Sequence, residues 1–219
     1  MSVKEFINKD SNINLVFISG GPGLSSISFN GLMSLKEKYS LHFIDPMGTN
    51  SELKEIPTYK NLLIEVKESI KHLDNVVLCG HSFGGIQAVD IASDNLENIK
   101  GLILIGSPMS TNAFSVLGQN FEKGITEKQN LISDKLENEP TNEIYKEWFY
   151  EYRKFYFNPE KADDLISIIM NDSVCVKSYS EAIVESSQKQ ENLEKLNNIN
   201  IPKLLITGSL AQVMPPDSA

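Results

Sequence analysis

The residues best placed to do chemistry are Gly80-His81-Ser82-Phe83-Gly84-Gly85, a Gly-x-Ser-x-Gly pattern. An apolar run (76–79) precedes it, and residues 85–92 follow with apolar side chains at helical spacing. A strand, a sharp turn and a helix in that order make a nucleophile elbow. Gly80 and Gly84 flank Ser82 because backbone approaches too closely there for a Cβ, and the turn strains the serine and exposes its Oγ. A second loop, Ser19-Gly20-Gly21-Pro22-Gly23, puts three glycines around a proline after another apolar run. Such a loop lets backbone reach a ligand. Pro22 has no N–H, so the donor toward a developing oxyanion is Gly21, with Gly23 second. The amide of Phe83, next after the nucleophile, is the other expected donor. A tight turn with no ligand fits the glycines too. No GxGxxG and no GK[ST] is present, which argues against a dinucleotide or phosphate loop.

A serine nucleophile needs a base, ordinarily a histidine oriented by a carboxylate. The chain has three histidines, His42, His72 and His81, and none follows Ser82. His81 adjoins the nucleophile, where the tight turn points its ring elsewhere. His42 falls in a strand and His72 near a helix end, positions expected to be structural or exposed.

The elements that must position these residues read as alternating strands and helices. Strands are expected at 13–18, 41–45, 76–79, 99–105 and 201–208. Helices are expected at 29–39, with Leu32, Leu35 and Tyr39 on one face, and at 58–73. In the second, Leu62, Leu63, Val66 and Ile70 recur at helical spacing and Thr58 is the cap. Residues 1–12 read as polar, without a strand. This rhythm is that of a parallel α/β sheet. Residues 110–190 break it, with many charges, no convincing strand and eight aromatic residues between Tyr145 and Phe157. They read as a helical cap or lid, most of the aromatics packing helix on helix and one or two free to line a pocket. The expected division is a core of 1–109 and 191–219 with a cap of 110–190.

Composition narrows the function classes. At 219 residues, 41% hydrophobic and 22% charged, the chain can bury one sizeable core. Its net charge of −9 argues against nucleic acid or an anionic membrane as partner. No run approaches the roughly 18 apolar residues that span a bilayer, and no leader-like segment opens the chain, so a cytoplasmic protein is expected. Cys79, in a buried strand, and Cys175, in a region expected to be helical, have no metal-like spacing and read as packing residues. No metal and no organic cofactor is implied. The expected partner is a small-molecule or short-peptide substrate.

Over residues 13–215 the sequence resembles the α/β-hydrolase fold family, and within it the prolyl iminopeptidase branch. Ser19-Gly20-Gly21-Pro22-Gly23 is similar to that branch's HGGPG loop, with Ser19 for histidine. Asp45-Pro46-Met47-Gly48-Thr49 is similar to its DQRG-type turn without the arginine, and Gly80–Gly85 matches its elbow. The resemblance implies a mostly parallel sheet flanked by helices, a helical cap and a serine hydrolase acting through an acyl-enzyme on Ser82. An aminopeptidase and an esterase are both compatible with it. The implied acid would lie three residues past Gly208, where this chain has Ala211, or after residue 105, where it has Ser107; Asp217 lies beyond two prolines. The implied histidine, with the last strand and helix that carry it, is missing. Two readings stand: an incomplete form of an active hydrolase, with Ala211 natural or introduced, or a non-catalytic relative that binds a ligand.

Overall fold

The computed structural model describes residues 2–122, 124–187, 192–209, 211 and 213. Its continuous apolar runs form the middle of the sheet: β2 (Asn14–Ile18), β3 (Ser40–Asp45), β4 (Val76–His81) and β5 (Ile99–Ile105). Strands buried on both faces have no solvent side to mark with polar residues, which is why residues 15–18, 76–79 and 102–105 read as unbroken apolar stretches. With β1 (Ser2–Phe6) and β6 (Lys203–Ile206) at the edges, the order is β1-β3-β2-β4-β5-β6. Every pairing is parallel except β1 on β3.

Two elements depart from the expectation. Residues 2–6 form a strand, although polar; an edge strand that adds backbone hydrogen bonds and packs only Val3 and Phe6 against the core needs no apolar run. The segment expected as a helix at 29–39 is a 3-10 helix that starts earlier, Ser26–Glu37. Phe29, Leu32 and Leu35 recur every third residue, and three residues per turn stacks them on one face toward Phe17, Leu41 and Phe43.

The other helices near the sheet follow their sequence signals. α1 (Tyr59–Ile70) starts at Thr58, whose hydroxyl accepts from the Asn61 N–H, and buries Leu62, Val66 and Ile70. α2 (Phe83–Ser93) is buried from Phe83 through Ala92. It is buried on every side because it lies between the sheet, α1 and a later helix, α9 (Asn192–Asn198), and its one buried carboxylate, Asp90, accepts from Tyr59 and Lys195. The core on this face joins Val16, Leu78, Ile86, Val89 and Leu102. Burying each such side chain contributes about 1.5–3 kcal/mol.

Between β5 and β6 the described residues hold helices and no strand, as expected. They are α3 (Thr111–Glu122), α4 (Glu127–Asn138), α5 (Asn142–Tyr156), the short α6 (Ala162–Leu165) and α7 (Ser167–Met170), α8 (Val176–Ser187) and α9. α4 and α5 pack together over a cluster that includes Leu136, Tyr145, Phe149 and Ile169. Phe121 of α3 meets the rings of Trp148, Tyr152, Phe155 and Tyr156 at centroid distances of 5.1–6.3 Å. α8 lies on α1 and α9 on α2, so Ala182, Leu196 and Ile199 belong to the main core. Both cysteines are free and buried; burial pushes the Cys79 thiol up to about 12. Cys175 lies just before α8 rather than within a helix. Among the described residues no helix is long and apolar enough to cross a membrane.

Candidate active site

β4 delivers the chain to Ser82, and α2 carries it away. Ser82 sits at φ 51° and ψ −121°, a conformation non-glycine residues rarely adopt. Its N–H donates to the Ile105 carbonyl at 2.9 Å and its carbonyl accepts from the Gly85 N–H at 2.9 Å. The strain is thus held between β5 and the first turn of α2. The Ser82 hydroxyl makes no capping bond to the helix it precedes. A Cβ on Gly84 would lie 2.1 Å from the Ile18 carbonyl oxygen, and one on Gly80 2.4 Å from the Gly85 Cα. This is the close approach that the two flanking glycines signalled in the sequence.

The glycine-rich loop follows β2, beside β4, and therefore arrives at the same end of the sheet. Gly20 abuts the serine: a Cβ built on it would lie 3.0 Å from the Ser82 Cβ. Gly21 and Gly23 both have positive φ, 115° and 87°, and the Gly21–Pro22 peptide is cis. Phe83 opens α2, so its N–H has no carbonyl one turn back, and the positive end of the helix dipole lies at the same place. The loop, the serine and the start of a buried helix are brought together. Behind Phe83 a small cavity is lined by Ser19, Gly23, Pro46, Glu65 and Gln87. Burial raises the Glu65 carboxyl above its usual range, although the Met47 N–H, donating to it at 3.0 Å, opposes the shift.

The histidines have other partners or lie in the open. His42 is buried in β3, Nδ1 at 3.1 Å from Glu5 and Nε2 at 2.9 Å from Asn14. Desolvation lowers its pKa, with Glu5 opposing. His72 is exposed after α1. The His81 ring packs edge-on against Phe29 at 6.4 Å, and burial lowers its pKa. At the alternative acid position, the buried Ser107 hydroxyl donates to the carbonyls of Gly80 and Ile105. Ala211 closes a turn on the Gly208 carbonyl at 3.0 Å. Asp217 lies outside the described residues.

Asp45, noted in the sequence only as the start of a turn, is a fully buried hub. It accepts from Ser26 N–H, Ser2 hydroxyl and Asn50 amide, and pairs with Lys4 at 3.0 Å. Desolvation would raise its pKa, but these hydrogen bonds prevail and hold it low. Three further groups touch the glycine loop, a contact the sequence did not reveal: Tyr145, read there only as one of an aromatic cluster, Asp172, and the backbone of Cys175, read as a packing residue. All are distant in sequence from the residues they touch, and no local pattern marks them.

No family model matches the sequence. Over 216 residues it is 24% identical to a Mycoplasma genitalium protein that carries the name "Putative esterase/lipase 2", covering 92% of this chain and 73% of that one. It is 23% identical to Methylesterase 17 of Arabidopsis thaliana over 80% of this chain and 63% of the relative. Among solved structures, a thermophilic esterase from Thermogutta terrifontis superposes with a TM-score of 0.69 at 15% identity, covering 99% of this chain and 78% of that one. The fold is the α/β-hydrolase fold. The esterase names among relatives and neighbours support an enzyme of the α/β-hydrolase superfamily.

Proposed function

We propose that this α/β-hydrolase-fold chain is a serine hydrolase that cleaves a small ester or amide through an acyl-enzyme on Ser82. The observation that carries the reading is the backbone of Ser82, a strained non-glycine residue whose hydroxyl is left out of helix capping at the start of α2. Strain of this kind, on the order of 1–3 kcal/mol, persists where a function uses it. The turn is then a nucleophile elbow. Ser82 Oγ attacks the substrate carbonyl carbon and gives its proton to a solvent base, water or added imidazole, and the carbonyl oxygen becomes an oxyanion. The Gly21 and Phe83 N–H groups hold that oxyanion. Collapse expels the alcohol or amine, which takes a proton, and leaves the acyl group on Ser82; water attacks the ester so formed and frees the acid. Residues 1–109 and 191–219 form the catalytic core in this reading, and 110–190 the cap over it.

Esters are the favoured substrates, because the relatives above carry esterase names. Amides, N-terminal proline peptides among them, are the alternative that the GGPG loop suggests. The proton from Ser82 has no histidine acceptor downstream in this sequence. Loss of a triad member elsewhere leaves about 10³–10⁴-fold acceleration over water, so the chain by itself is expected to be slow. His42 and His81 are engaged elsewhere, and a serine and an alanine stand where an acid was sought, which favours a second reading, a ligand-binding protein on this fold.

The two readings separate in one experiment. Intact-mass labelling with a fluorophosphonate is run on the wild type and on Ser82→Ala, with and without added imidazole as an external base. One adduct on the wild type, faster with imidazole and absent from Ser82→Ala, is expected. No adduct under either condition, with the fold intact, would overturn the hydrolase reading. A short-chain nitrophenyl ester compared with a proline arylamide then divides esterase from peptidase.

A further inference from the structure

Residues 20–25 form a loop with little hydrogen bonding of its own. The Leu24 N–H reaches the Gly20 carbonyl at only 3.4 Å, and the Ser19 hydroxyl bonds the Leu24 carbonyl at 2.6 Å. The remaining anchors come from the helical segment between β5 and β6. Tyr145 of α5 donates its phenolic O–H to the Pro22 carbonyl at 2.8 Å. The Cys175 N–H donates to the Gly23 carbonyl at 2.8 Å. The Asp172 carboxylate accepts from the Ser25 N–H at 2.9 Å through one oxygen and from the Ser25 hydroxyl through the other. Three of the four residues 22–25 are thus fixed by groups more than 120 positions away in sequence.

The fit leaves no slack. A Cβ on Gly23 would lie 2.2 Å from the Cys175 carbonyl oxygen. Asp172 and Tyr145 are 4% and 1% exposed, and the tyrosine ring is held between Phe149 and Tyr179 at 5.0 and 5.2 Å. Gly21 lies between two fixed points, Gly20 against Ser82 on one side and Pro22 under Tyr145 on the other. We propose that Asp172 and Tyr145 are positioning residues that set the place of the Gly21 N–H, so that the cap shapes the oxyanion site. The proposal rests on the hydrolase reading above for its functional meaning. A donor displaced by about 1 Å loses on the order of a hundredfold in rate, because its hydrogen bond must meet the transition state.

Two readouts test it: amide hydrogen exchange of peptides spanning 19–25, and fluorophosphonate labelling resolved into maximal rate and probe affinity. The variants are Asp172→Ala, Asp172→Asn, Tyr145→Phe and, as a control, Ser133→Ala. The control removes bonds that hold Trp148 and Tyr152 inside the cap without touching the loop. Expected for Asp172→Ala and Tyr145→Phe are loop exchange faster by about tenfold or more and a maximal labelling rate lower by about tenfold to a hundredfold, with probe affinity within about twofold. Asp172→Asn recovers most of the loss, since its amide oxygen still accepts from Ser25, and Ser133→Ala leaves loop and labelling unchanged. Loop exchange unaltered in Asp172→Ala and Tyr145→Phe, or raised equally in Ser133→Ala, would overturn the proposal. Should the wild type resist labelling under every condition, the hydrolase reading falls, and exchange of residues 19–25 alone decides the positioning claim.

Discussion

β4 and β6 are built from similar residues and meet opposite fates. Val76 and Leu78 of β4 are fully buried, whereas Leu204, Leu205 and Ile206 of β6 are 52%, 49% and 45% exposed. β4 has β2 and β5 beside it and α2 packed on it, while among the described residues β6 pairs only with β5. Place in the strand order, rather than apolar character, decides burial. The chemistry divides along the same line. The proposed nucleophile and oxyanion donors lie within residues 19–83, locked by contacts too close for a Cβ. On the β5–β6 side, the two positions where an acid was sought hold a serine bonded to backbone and an alanine in a turn.

Crowding around the serine is the part of this contrast that a single methyl should break. Gly84→Ala would drive its Cβ into the Ile18 carbonyl, prying β2 and the glycine loop from the elbow. A loss of about 3 kcal/mol or more is expected, at the upper end for overpacking because backbone must move. Urea unfolding reads it, and a loss under 1 kcal/mol would mean that the approach is looser than described. The strand comparison is sharpened by a pair of truncations. Leu78→Ala should lose about 2–5 kcal/mol, as large-to-small changes in a core do, and Leu205→Ala under about 1 kcal/mol because that side chain is half in water. Equal losses would show that β6 is covered in solution.

A further contrast concerns the opposite edge, where β1 helps to bury His42. Its folded pKa lies below the unfolded value near 6.5. The unfolded chain therefore takes up the proton first, and this contribution to stability, whole above about pH 6.5, is lost as pH falls toward the folded pKa. His42→Gln should lose about 1–2 kcal/mol at pH 7 through the Asn14 and Glu5 hydrogen bonds. It should also flatten the decline of the urea midpoint between pH 7 and pH 5. An unchanged slope would assign that decline to other groups; His81, whose pKa is also lowered by burial, is the first.

Much of the fold was legible because it rests on local rules. The apolar runs became the central strands, Thr58 caps α1, and Gly80 and Gly84 mark the tight turn at Ser82. The helix expected at 29–39 is a 3-10 helix starting at Ser26, a type that spacing by three does not distinguish from an α-helix. β1 was missed because an edge strand is specified by the partner it joins. By itself the sequence determined the parallel α/β framework, the serine at a sharp turn and the glycine-rich loop beside β2, each written in a local run of residues. Only the tertiary structure decided that Asp45 ties together Ser2, Lys4, Ser26 and Asn50, that β6 stands exposed, and that Tyr145, Asp172 and Cys175 grip the loop from more than 120 residues away. The physical reason is that a buried polar group must find its partner in space, and spacing along the chain carries no record of which distant segment supplies it.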